Sequence, residues 1–244
     1  MVAAPVVSLA VVPWALRRSF GPQTADRRPQ TADPEPQFTL ARGGGFAAAV
    51  LVVMVAEQTF LNAGPLLVKA SEGGAEGAAL AGFTFNVLLI ARAPLQLFQS
   101  VQTAILPVLT RLRAGGETDP FRRSVSLTLL AIAAFALVVA VAMLAAGPWF
   151  MELLFGGEFD YDRLGLVLIA LGMGLYLSAA TLNQAALARG RAAAAAICWA
   201  ASAAAFVLFL TLASFDDRVL QVELGYLGAA LVLSCSLYTL YRRG

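Results

Sequence analysis

The chain has 244 residues, 59% of them hydrophobic and 13% charged, with a formal net charge of +2. A composition this apolar excludes an ordinary soluble domain of the same length. With no histidine and two cysteines, it offers no metal site of the usual His/Cys kind. It implies no cofactor, and no basic block interleaved with aromatics points to nucleic acid.

Residues 1–16 are apolar but short, and Arg17 and Arg18 follow them. A signal peptide carries its positive charge before the apolar run and ends in a small-residue cleavage site. Here the order is reversed, so the segment reads as the last half of a transmembrane helix, the alternative being one weak N-terminal span of a self-contained protein. Residues 17–45 are rich in Pro, Gln and charge and contain a near-repeat, PQTADRR and PQTADPE. Such a stretch cannot pack a core and reads as a cytoplasmic linker.

From residue 46 onward the sequence predicts six apolar spans, at 46–69, 78–109, 124–149, 164–188, 191–214 and 222–241. A helix of about 20 residues crosses a hydrocarbon core about 30 Å thick, and each span is long enough to do so. The first span contains Glu57, Gln58 and Asn62. Gln58 and Asn62 are four apart and share a helix face, and Gly64 with Pro65 predicts a bend or local unwinding beyond them. Glu57 is either a protonatable coupling site or a packing hydrogen bond with a partly hydrated acid.

The second span, GAALAGFTFNVLLIARAPLQLFQSVQTAILPVLTRLR, is longer than one crossing needs. Arg92 lies too deep to snorkel comfortably to either end, and Pro94 predicts a kink. Arg92, Gln96, Gln99 and Thr103 are spaced four, three and four apart, a polar stripe on one face. A buried guanidinium in such a stripe suits a water-filled cavity that receives an anion, since its planar fork binds phosphate oxygens bidentately. The competing reading is an ion pair with Glu57, and the two are compatible.

In the fourth span Tyr176, Asn183 and Gln184 line either a cavity or a helix interface, and Gly165, Gly172 and Gly174 allow close helix approach. The third, fifth and sixth spans are nearly featureless; the Ala-rich fifth is expected to pack within protein. Trp149 and Tyr161 are expected to anchor the outer interface. Cys198 and Cys235 fall inside spans, where a thiol is a small apolar residue.

Charge sorts the loops. Thirteen basic residues lie before the first span, after the second, after the fourth and at the C-terminus; three lie in the alternate loops, and Arg92 alone lies within a span. By the positive-inside tendency those thirteen are cytoplasmic. The fold class is therefore all-α: a polytopic six-helix transmembrane bundle over 46–243, preceded by a partial span, in the inner membrane with the C-terminus cytoplasmic. No enzyme is expected. The acidic stretch Glu158, Asp160 and Asp162 reads as a solvated outer loop, and histidine, the usual acid–base player, is missing.

Three stretches carry a family resemblance: ARAPLQLFQSVQTAILPVLTRLR in the second span, LLFGGEFD (Leu153 to Asp160) after the third, and LNQAALARGR (Leu182 to Arg191) closing the fourth. With them the chain resembles one half of the multidrug/oligosaccharidyl-lipid/polysaccharide exporter superfamily, and more narrowly the O-antigen type flippases of polysaccharide biosynthesis. The resemblance covers residues 3–243 and would correspond to the end of helix six, the central loop and helices seven to twelve. It implies alternating-access transport of a lipid-linked oligosaccharide with a (pyro)phosphate head among membrane lipids, and a missing N-terminal lobe or partner chain. It further implies Arg92 as the phosphate contact, Gln96, Gln99 and Asn62 as glycan or path contacts, and Glu57 as the coupling-ion residue. The alternatives are a lipid II flippase, a multidrug/cation antiporter of the same superfamily, and a non-transporting membrane assembly subunit or gene remnant.

Overall fold

The structure is a computed structural model that describes residues 40–72, 74–114, 118–156, 161–213 and 215–243. The side chains of residues 40–43, 72, 91, 95–106, 108, 112–114, 118 and 119 fall outside that description. So do the expected partial span 1–16, most of the linker, and Glu158 and Asp160.

Among the described residues there are six helices and no strand: α1 Leu40–Glu72, α2 Gly74–Ala114, α3 Thr118–Phe155, α4 Arg163–Ala188, α5 Ala192–Leu212 and α6 Arg218–Arg242. Five stretches, Gly44–Ser71, Pro120–Phe155, Arg163–Ala188, Ala192–Leu212 and Arg218–Arg242, are long and apolar enough to cross a membrane. In α2 the apolar stretch Gly74–Ile90 is shorter. In lipid every backbone polar group must be satisfied within the protein, which an α-helix does internally. The chain is an all-α polytopic membrane protein.

α4 is the central helix. It packs most extensively on α6 and α3, then on α2, while α5 packs on α1 and α6, and α1 on α2. Its start is fixed by Asp162, whose Oδ2 accepts a hydrogen bond from the Gly165 amide at 3.1 Å. Asp217 does the same for α6, accepting from the amides of Val219 (2.8 Å) and Leu220 (3.1 Å). Such caps supply partners for amides that the first helical turn leaves unpaired. α1 and α3 turn large apolar side chains outward, among them Leu51, Val55, Leu130 and Val138, as a lipid-facing surface requires.

Four expectations are corrected. α1 begins at Leu40, inside the predicted linker, because the apolar run marks the lipid-embedded part of a helix and the hydrogen-bonded spiral continues past it. α1 is also unbroken across Gly64 and Pro65, so no local unwinding occurs. Gly64 serves packing instead: a Cβ there would stand 2.6 Å from Val222 Cγ1, so only glycine lets α6 come this close. Tyr161 is no interface anchor; it is buried with its ring 4.9 Å from that of Phe83, whereas Trp149 is exposed. Finally, α5 is not enclosed by protein, since Ile197, Leu208 and Leu212 face outward. In α4, Gly172 and Gly174 permit close approach of Tyr226 and Ala136. Both cysteines are free thiols.

Candidate functional site

Pro65 creates the need that Arg92 meets. A helical carbonyl is normally paired with the amide four residues on, and the residue four beyond Leu61 is Pro65, which has no N–H. An orphaned carbonyl in lipid is costly. Arg92 on α2 reaches across and donates from Nη2 to the Leu61 carbonyl. The same nitrogen donates to Asn62 Oδ1 at 3.1 Å, and the guanidinium lies over the Phe85 ring, 4.5 Å from its centroid. Arg92 Nε is buried without a protein partner.

Asn62 extends this network along α1. Its Nδ2 donates to the Gln58 carbonyl (2.9 Å) and to Gln58 Oε1 (3.1 Å), so Gln58, Asn62 and Arg92 are one hydrogen-bonded series. Gln58 is exposed. With Met54, Thr59, Asn62 and Leu66 it lines an open groove of about 570 Å³ on the outer face of α1. A polar strip of this kind on an otherwise apolar helix is expensive against lipid and ordinarily faces a water-filled cavity or another protein surface.

Glu57 looks elsewhere. It is not Arg92's partner; it lies beside the Tyr176 hydroxyl, and it borders a second cavity of about 150 Å³ shared with Asn183, Gln184 and Trp199. Asn183 Oδ1, Gln184 Oε1 and Trp199 Nε1 are all buried without a protein hydrogen bond. The ion pair between Arg92 and Glu57 considered from sequence is therefore replaced by Arg92 with Leu61 and Asn62. Helical rotation explains this: Asn62 lies about 140° around α1 from Glu57 at 100° per residue, so one helix presents the two to different neighbours.

Between the two sites stands an aromatic cluster. Phe60 is fully buried and meets Tyr176 edge-on (5.7 Å), Trp199 edge-on (6.0 Å) and Phe206 in a stack (5.6 Å). Tyr176 and Tyr226 stack with centroids 6.4 Å apart and planes 19° apart. At the far end of the bundle Arg189 and Arg191 cap α6. Arg189 Nη1 donates to the Tyr241 carbonyl (2.6 Å) and Arg191 Nη1 to the Leu240 carbonyl (3.0 Å). The Arg189 guanidinium also lies over Phe121 (4.8 Å) and Tyr241 (4.4 Å). Cations there satisfy the last carbonyls of a helix and oppose its negative end.

Of the expected site residues, the structure brings Arg92 and Asn62 together and sets Glu57 apart. The side chains of Gln96 and Gln99 lie outside the described residues. Sequence reasoning passed over Tyr226, Trp199 and Phe60, because aromatics in an apolar run look like core; it also passed over Leu61, whose signal was the proline four residues on. Among the described residues no group of His, Cys, Asp and Glu could hold a metal ion. The chain matches no protein-family model, no curated protein and no solved structure. The class that fold and site define is that of a multi-pass helical membrane protein with a guanidinium and a carboxylate held within its bundle.

Proposed function

We propose that the chain forms one lobe of a flippase of the multidrug/oligosaccharidyl-lipid/polysaccharide exporter type, moving a lipid-linked oligosaccharide with a (pyro)phosphate head by alternating access. The observation that carries this is Arg92, a guanidinium within the bundle, tied through Asn62 to Gln58 in an open groove on the outer face of α1. Leu61 and Asn62 accept from Nη2, and the rest of the guanidinium would have to turn from the Phe85 ring to meet an anion. Gln58 and Asn62 offer hydrogen bonds to sugar hydroxyls along the groove, and the second lobe, from an N-terminal extension or a partner chain, covers it. Glu57, facing Asn183 and Gln184 in its own cavity, serves as the coupling-ion residue. In this reading the protein lies in the inner membrane with Arg242 and Arg243 cytoplasmic, as the sorted loop charges favour. Outward movement of an anion is itself driven by the inside-negative potential, about 2.3 kcal/mol per charge per 100 mV.

The test is movement of a fluorescent polyprenyl pyrophosphate glycolipid across proteoliposomes holding the full chain, read by quenching of the outer leaflet. Arg92→Gln should abolish movement above the protein-free rate, and Arg92→Lys should recover part of it. If Arg92→Gln moves lipid as wild type does, or if wild-type protein moves none with the second lobe present, the proposal is wrong.

A further inference from the structure

At the end of α5 a buried carboxamide holds an arginine in place. α5 stops at Leu212, and the carbonyls of a last helical turn lose their partners. Gln221 on α6 is buried, and its Nε2 donates to the carbonyls of Leu210 (3.0 Å) and Ala213 (2.8 Å). Its Oε1 accepts from Arg218 Nη1 at 2.9 Å. Half-buried Arg218 is thus tied to a side chain that is itself pinned to α5.

Arg218 also lines a cavity of about 300 Å³ between the last turns of α1 and α5 and the first turn of α6. Leu67, Leu210 and Val222 form apolar walls, and Ser71 and Thr211 add hydroxyls. Ser71 Oγ donates to the Val68 carbonyl (3.1 Å), and Thr211 Oγ1 to those of Val207 (3.0 Å) and Leu208 (3.1 Å). With its proton committed to its own helix, each hydroxyl keeps lone pairs and acts as an acceptor. Three of the stretches long and apolar enough to cross a membrane, Gly44–Ser71, Ala192–Leu212 and Arg218–Arg242, have an end here. The cavity therefore lies where spans leave the hydrocarbon.

These features select an occupant. Apolar walls at the edge of the hydrocarbon suit the glycerol and upper acyl chain of a lipid, and a guanidinium pairs with phosphate oxygens. Acceptor hydroxyls require a head that also brings N–H or O–H donors. Arg218 is the one basic residue between Arg191 and Arg242, and Asp216 and Asp217 directly precede it. A head with net negative charge would meet those carboxylates as well as the guanidinium, whereas a phosphate joined to a primary ammonium complements both signs. We propose that the cavity binds the head of a zwitterionic phospholipid, phosphatidylethanolamine, with its phosphate on Arg218 and its ammonium towards the acceptors. This site is separate from Arg92 and independent of what the protein moves.

The test is native mass spectrometry of the full chain in detergent, offered equal amounts of phosphatidylethanolamine, phosphatidylglycerol and phosphatidylcholine with the same acyl chains. One phosphatidylethanolamine should be held about tenfold more tightly than either of the others, the strength of one charge-assisted hydrogen bond. Stepwise N-methylation of the head should weaken it as N–H groups are lost. Arg218→Gln should lower retention to that of phosphatidylcholine. Lys69→Gln, which removes an exposed cation near the end of α1, should leave it unchanged. Thr211→Trp fills the cavity with Arg218 still present and should expel the lipid; it carries the comparison if circular dichroism shows that Arg218→Gln does not fold. Equal retention of the three lipids, a preference for phosphatidylglycerol, or unchanged retention in either cavity variant overturns the proposal. Displacement of the lipid by excess inorganic phosphate also overturns it and makes the cavity a site for the free anion.

Discussion

The dependence of Arg92 on Pro65 can be isolated in a double-mutant cycle. Arg92→Met removes the hydrogen bonds to the Leu61 carbonyl and Asn62 Oδ1, but it also relieves the burial of a charge, about 2.5–3.5 kcal/mol on insertion scales. These terms oppose each other, so the single variant is uninformative. Pro65→Ala supplies an amide four residues after Leu61, and that carbonyl is then satisfied within α1. In this background the loss of the Asn62 bond and the relief of charge burial are unchanged and cancel in the cycle. What remains is the cost of orphaning the Leu61 carbonyl, about 1–3 kcal/mol. The assay is reversible unfolding in mixed micelles of increasing dodecyl sulfate fraction, followed by circular dichroism, for wild type, both single variants and the double. Arg92→Met should be more destabilising in the wild-type background than in the Pro65→Ala background by that amount. Additivity within about 0.5 kcal/mol would refute the claim that Arg92 serves the carbonyl that Pro65 leaves unpaired.

Gly64→Ala drives a methyl against Val222 Cγ1, 2.6 Å away, and should destabilise the fold by about 1–3 kcal/mol. Val222→Ala should restore most of that loss in the same unfolding assay, and no recovery would mean the close approach of α6 to α1 is misplaced. Arg189→Gln gives up the bond to the Tyr241 carbonyl and the contacts with two rings. A loss of about 2 kcal/mol is expected, accompanied by faster proteolysis of the C-terminal turn of α6; unchanged cleavage would argue against the cap.

How far the sequence revealed this fold depends on which signal each residue sends. Hydropathy located the six described helices, because lipid imposes one rule on every span, but it missed the start of α1, since residues 40–45 are helical without being apolar. That Arg92 has a partner on a neighbouring helix was legible from its depth in the span; the rest of its expected stripe, Gln96, Gln99 and Thr103, lies outside the described side chains. The identity of that partner was not legible: Glu57 is the obvious counter-charge by type, yet the rotation of α1 turns it towards Tyr176 and Asn183. The correct partner was written as a backbone deficit at Leu61, visible only by counting back from a proline. Tyr161 shows the opposite failure. An aromatic near a span end suggests an interface anchor, and only the packing of α2 on α4 shows that Phe83 covers it.

α1 therefore does three things with residues spaced a few positions apart. Phe60 fills the aromatic core, Glu57 borders a small, partly open cavity, and Gln58 with Asn62 edges an external groove. A helix used only for anchoring has no reason to carry polar groups in two directions, each costly in lipid. Nor does simple packing explain it, since Asn183, Gln184 and Trp199 border the Glu57 cavity and each holds a buried polar atom without a protein hydrogen bond, while Gln58 is exposed. The arrangement suits a helix at the boundary between two compartments that must sense each other. A rotation or tilt of α1 would change both at once: the Leu61 carbonyl and Asn62 would move relative to Arg92, and Glu57 relative to Tyr176.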